Sequence, residues 1–109
     1  MALPHAPSGA VIEVRQARQD LSVFSAIALA KTDELELIRM ILPAGKTIPE
    51  HHVPGELTLL CLEGEVTVQA HGAAQTLGPG QMMYLHGGQA HALRAERDAL
   101  VLLTLLLVK

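Results

Sequence analysis

Apolar and polar positions alternate along this chain in short runs, and glycine or proline cuts the runs at close intervals. Residues 11–15 (VIEVR) alternate around β-branched side chains. Residues 34–42 (ELELIRMIL) alternate cleanly at their start, and residues 65–70 (EVTVQA) do so throughout. Residues 57–62 are almost wholly apolar, and residues 82–85, 91–95 and 100–108 complete the set. Alternation with period two places every second side chain on one face, the pattern of a strand with one buried side. The interruptions are Pro43-Ala44-Gly45, Pro54-Gly55, Gly64, His71-Gly72, Gly78-Pro79-Gly80 and Gly87-Gly88. Short strands between frequent turn signals predict an all-β sandwich or barrel. Leu and Met are not the residues that strand propensity favours, so the turn spacing decides. Residues 17–30 would permit a short helix, but SVFSAI at 22–27 reads as a strand, and we take it so. No long amphipathic helix is visible, which argues against α/β folds and helix-turn-helix regulators.

Composition narrows the picture. With 109 residues, half of them hydrophobic, the chain has the length of one domain with one core. Phe24 and Tyr84 are the only aromatics, so Leu, Ile, Val, Met and Ala must fill that core. The net charge of −3 is spread without a basic run, and nucleic-acid binding is not expected. The apolar stretch at 99–108 is about half the length of a membrane helix, so it is expected as a buried strand and no membrane association is predicted. The opening MALPHAPSGA has neither a basic region nor an apolar one, unlike a secretory signal. Cys61 is the only cysteine, which excludes an intramolecular disulfide and suits a reducing cytosol. A cytoplasmic location is the expectation.

The candidate chemistry lies in the histidines. His5 falls near the terminus, and His71 precedes Gly72 in an expected hairpin turn, so both are expected to be solvated. His51-His52 and His86 with His91 form two clusters about forty residues apart, each beside Gly and Pro. If their strands are neighbours, the imidazoles converge. Imidazole is the commonest protein ligand of divalent transition metals, and Glu56 would add an oxygen donor to complete a two-histidine, one-carboxylate set.

These residues resemble the cupin superfamily. Its second motif, G-x5-P-x-G-x2-H-x3-N, matches Gly80-QMMYL-His86-Gly87-Gly88-QA-His91-ALR-Ala95 in spacing throughout. Gly80, Gly88 and His91 are retained, whereas His86 stands for the proline and Ala95 for the asparagine. Its first motif, G-x5-H-x-H-x3,4-E-x6-G, opens with Gly45-KTIPE-His51 and closes on Gly64. In strict register the second histidine falls on Val53 and the glutamate on Leu57, so His52 and Glu56 each lie one residue early. A one-residue slip turns a strand side chain to the opposite face, and a bulge can re-aim it. The resemblance covers roughly residues 34–107.

The resemblance implies an all-β double-stranded β-helix, a jelly-roll barrel of the RmlC-like cupin type, over residues 34–109. Residues 1–33 would form an N-terminal arm with edge or dimer-contact strands. It implies a pocket in which His51, His52, Glu56 and His91 are the candidate ligands of a metal such as iron, manganese, nickel or zinc, with the metal-free state as the alternative. Tyr84 and His86 are candidate contacts to a bound molecule, with His86 on the rim. From alternation, Leu93 and Ala95 share a face with His91, while Leu57, Leu59 and Cys61 share one face of their own strand. Cys61 is then an inert core thiol. Three functions follow: a small-molecule-binding module, a metal-dependent enzyme of dioxygenase or isomerase type, or a dimeric scaffold with a vestigial pocket. The apolar excess and the need to cover sheet edges predict a homodimer, with N-terminal strands packing on or joining the partner's sheet.

Overall fold

The computed structural model describes residues 5–16 and 19–108. All regular structure within them is β. The strands are β1 (Ser25–Lys31), β2 (Leu35–Leu42), β3 (Thr47–His51), β4 (Leu57–Ala70), β5 (Ala73–Leu77), β6 (Met82–Leu85) and β7 (His91–Leu106). Every pairing is antiparallel, and β4 and β7 run alongside each other for nearly their whole lengths.

These two long strands build the barrel. The first half of β4 lies between β6 and the second half of β7, which in turn pairs with β2 and, through it, β1. The second half of β4 lies between β5 and the first half of β7, which pairs with β3. The change of sheet occurs where the β4–β7 register slips repeatedly, between Cys61 and Val66. Bulges bend strands in this way. Gly64 is the pivot: its φ is +78°, and a Cβ there would collide with the Asp98 carbonyl oxygen. Only glycine satisfies both demands. The expected strands 57–62 and 65–70 are therefore one bent strand, and 91–95 and 100–108 likewise merge into one, which ends at Leu106.

The inward faces follow the alternation. Leu57, Leu59, Cys61, Val66 and Val68 of β4 are buried against Leu93, Ala95, Ala99 and Val101 of β7, with Met40 and Leu42 from β2. Each fully buried leucine contributes about 1.5–3 kcal/mol from apolar area alone. The Cys61 thiol is buried, and its Sγ–H donates to the carbonyls of Glu63 (3.3 Å) and Gly64 (3.6 Å). Burial pushes its pKa up, so it is a poor nucleophile.

Three expectations are corrected. Residues 11–15 form no strand. Strands β3 and β5 were not expected, since one holds a proline and the other is mostly exposed alanine and polar residues. In the ambiguous 17–30 segment the strand begins only at Ser25; Ala17 and Arg18 lie outside the described residues, as do residues 1–4 and Lys109. Residues 5–16 and 19–24 run along the barrel without regular structure. Ala6 donates to the Leu29 carbonyl of β1 at 2.9 Å, and the Glu13 carbonyl accepts from the Arg39 guanidinium at 3.2 Å. Arg15 pairs with Glu63 at 3.2 Å. Arg39 and Ile41 lie on the outer face of β2, and both are buried.

Candidate functional site

Because β4 and β7 fold back at Gly64 and Asp98, their far ends meet at one end of the barrel. That end collects the histidines. His51 closes β3, His91 opens β7, His71 occupies the β4–β5 turn, and His86 follows β6.

His51 and His91 are cross-strand partners. Their ring centroids lie 4.4 Å apart with the planes tilted by 54°. The contact depends on a local irregularity: Ile48 faces Leu93 and His51 faces His91, so Pro49 and Glu50 together oppose Ala92. In a regular strand, Glu50 and His52 would share the inward face of Ile48. The extra residue reverses this and sends His51 and Val53 inward, where both line the cavity. Proline at this place has no N–H for the ladder, which favours a bulge on an edge strand.

Both rings are oriented through the backbone. His51 Nδ1 is 3.0 Å from the Pro49 carbonyl, and His91 Nδ1 is 2.9 Å from the Gln89 carbonyl. A carbonyl only accepts, so each Nδ1 carries its hydrogen and donates it. In the neutral rings each Nε2 is then left with a free lone pair. His91 is buried, and loss of hydration holds its pKa below the ordinary 6.5; the bond to Gln89 opposes this, and the nearby His51 and His52 reinforce it.

Below the pair lies a cavity of about 260 Å³. Its wall is aliphatic, with Met40, Leu57, Leu59, Leu93, Leu103 and Leu105 among the residues, and among the described residues the two histidines are its only polar side chains.

The other candidates are placed elsewhere. His52 is exposed just past β3, near enough to act on His91 electrostatically but not part of the cavity wall. Glu56 and Tyr84 come together on the outside of the barrel, where the Tyr84 hydroxyl donates to Glu56 Oε2 at 2.5 Å. That bond raises the phenol pKa above its usual value. His86 is exposed on the rim, with Nδ1 2.9 Å from the Gly87 carbonyl. Its ring stands edge-on to His71 at 5.3 Å. The sequence reading missed this second pair, although His71 and His86 both sit in glycine-flanked turns. His71 adopts a left-handed φ of 53°, which few residues besides glycine take.

This donor set does not fit a metal held by the protein alone. Such sites use at least three protein ligands. Among the described residues no group of three or more His, Cys, Asp or Glu side chains gathers in a position to hold one.

The family described as Cupin domain matches residues 38–108. Among solved structures, a conserved protein of unknown function from Streptococcus pyogenes is similar over 100% of this chain and 96% of its own, at 19% identity and a TM-score of 0.82. A cupin superfamily protein from Desulfitobacterium hafniense is similar over 99% and 100%, at 19% identity and a TM-score of 0.79. An RmlC-like cupin protein from Desulfovibrio desulfuricans is 26% identical over 94% of this chain and 97% of its own, with a TM-score of 0.73. No curated protein matches.

Proposed function

The chain belongs to the cupin domain family, and from that premise we propose that it is a small-molecule-binding cupin whose ligand sits in the aliphatic cavity against His51 and His91. The observation that carries this reading is the cavity itself. It is an apolar hollow with two convergent polar groups at its mouth, the usual form of a small-molecule site. The competing reading, a metal-dependent enzyme, needs further ligands from His52, Glu56 or the bound molecule. His52 is exposed and Glu56 is engaged by Tyr84 on the outer face, so the binding reading is favoured. The buried thiol of Cys61 suits a cytoplasmic setting. Among the described residues no helix is long and apolar enough to cross a membrane.

We also propose a homodimer. Met82, Tyr84 and Leu106 are exposed at 56%, 58% and 48%. Tyr84 and Leu106 line one shallow depression with Thr58 and Thr104 on the outer face. Apolar groups gathered at a sheet edge are a natural surface for a second copy.

The test of the pocket is a blocking variant. Ala26 is exposed yet lines the cavity, so Ala26→Trp fills it without disturbing buried packing. Ligand binding followed by calorimetry with one-ring aromatic compounds should be present in the native protein and absent in Ala26→Trp. Equal binding by both would place the ligand elsewhere.

A further inference from the structure

The proposal above leaves the ligand unspecified, and the hydrogen bonds of the two imidazoles narrow it. Resting on that reading of the pocket, we infer that the cavity selects a small, mostly apolar molecule carrying a hydrogen-bond donor, an O–H or N–H, and that it does so without a metal.

Proton positions on the two rings decide which ligand groups are matched. Both Nδ1 atoms are committed to backbone carbonyls, Pro49 for His51 and Gln89 for His91. Each neutral ring lines the cavity with its one uncommitted nitrogen an acceptor and no N–H to spare. The remaining lining side chains are aliphatic and offer nothing polar. A ligand group that only accepts, such as a carboxylate, an ether or a ketone, meets no side-chain donor here. A hydroxyl meets a lone pair. An acceptor nitrogen that loses water and gains no partner is penalised, so a ligand without a donor binds less well.

His91 is the more deeply placed ring, and its burial favours the neutral form. That preserves the acceptor character in neutral solution. Size sets the other limit. A dry cavity of about 150 Å³ accepts benzene, so about 260 Å³ accommodates one substituted ring or an aliphatic molecule of similar bulk. Among the described residues no third protein ligand stands with the two nitrogens, which leaves hydrogen bonding as the recognition these residues supply.

The probes are p-cresol, its methyl ether 4-methylanisole, and 4-methylbenzoate, each titrated by calorimetry into chelator-treated protein. p-Cresol should bind about tenfold or more tightly than the ether, the size of effect expected for one satisfied against one unsatisfied hydrogen bond. 4-Methylbenzoate should bind more weakly than p-cresol as well. In His51→Phe, which keeps a ring at the exposed mouth, and in His91→Phe the preference for p-cresol over the ether should shrink to about twofold or less.

Equal affinities for p-cresol and 4-methylanisole in the native protein would overturn the donor inference and leave the pocket intact. Binding of p-cresol that appears only when zinc or iron(II) is restored would overturn the metal-free part. Failure of all three probes to bind would count against the pocket reading, and the inference would fall with it. The ligand comparison within the native protein stands even if a histidine variant folds poorly.

Discussion

His91 is a buried imidazole, and its environment makes stability depend on pH. Its folded pKa lies below 6.5, mainly because burial disfavours the charged ring, with His51 and His52 adding to the effect. The unfolded chain therefore binds more protons than the folded one between the lowered folded value and about 6.5, and stability rises with pH in that window. The contribution is complete above about pH 6.5. It is lost as acid carries the solution through 6.5 towards the lowered folded value. Urea midpoints measured between about pH 5 and 8 should fall on the acid side, and His91→Phe should flatten that part of the curve. A native profile with no slope there would contradict the burial of this ring.

At the scale of the element, β3 decides what the site contains. Deleting Glu50 would remove the extra residue between Ile48 and His51, leaving them two apart on one face of a regular strand. Because among the described residues β3 pairs with β7 alone, the deletion falls on an edge strand. The variant should keep the His51–His91 contact and bind p-cresol within about threefold of the native protein. Loss of binding with the fold retained would show that the bulge has another role. The same irregularity marks how far the sequence could be read. Period-two alternation exposed β2 and the second half of β4, because one face of each is buried, whereas the first half of β4 and the second half of β7 stood out as apolar runs between turn signals. It could not show that Gly64 bends a continuous strand, since a glycine before a charged residue has the same appearance in a hairpin turn. Residues 11–15 look like a strand by pattern, yet among the described residues they pair with no strand. Motif spacing singled out His51 and His91, at set distances from Gly45 and Gly80, and the structure brings these two rings into contact. The side on which His52 and Glu56 would emerge was hidden, because that depends on a bulge at Pro49 and Glu50 and on the contact of Glu56 with Tyr84.

For the molecule as a whole, the two ends of the barrel's first sheet are treated differently. The N-terminal stretch reaches β1 through Ala6 and the back of β2 through Glu13, while Met82 and Tyr84 on β6 remain open. A dimer through that open side would run in light scattering at about twice the chain mass of 11.6 kDa. Met82→Lys combined with Tyr84→Lys should return the mass to that of one chain, without loss of p-cresol binding. A native protein that stays monomeric at tens of micromolar would contradict the dimer. The pocket makes a separate and stricter claim, because it requires two rings from distant parts of the chain to meet with their protons on defined atoms. Long-range proton–nitrogen NMR of the imidazoles at about pH 7.5 reads both features at once. The Nδ1–H tautomer is expected for His51 and for His91, with a nuclear Overhauser contact between the two rings. An Nε2–H tautomer at either position, or rings that show no contact, would contradict it.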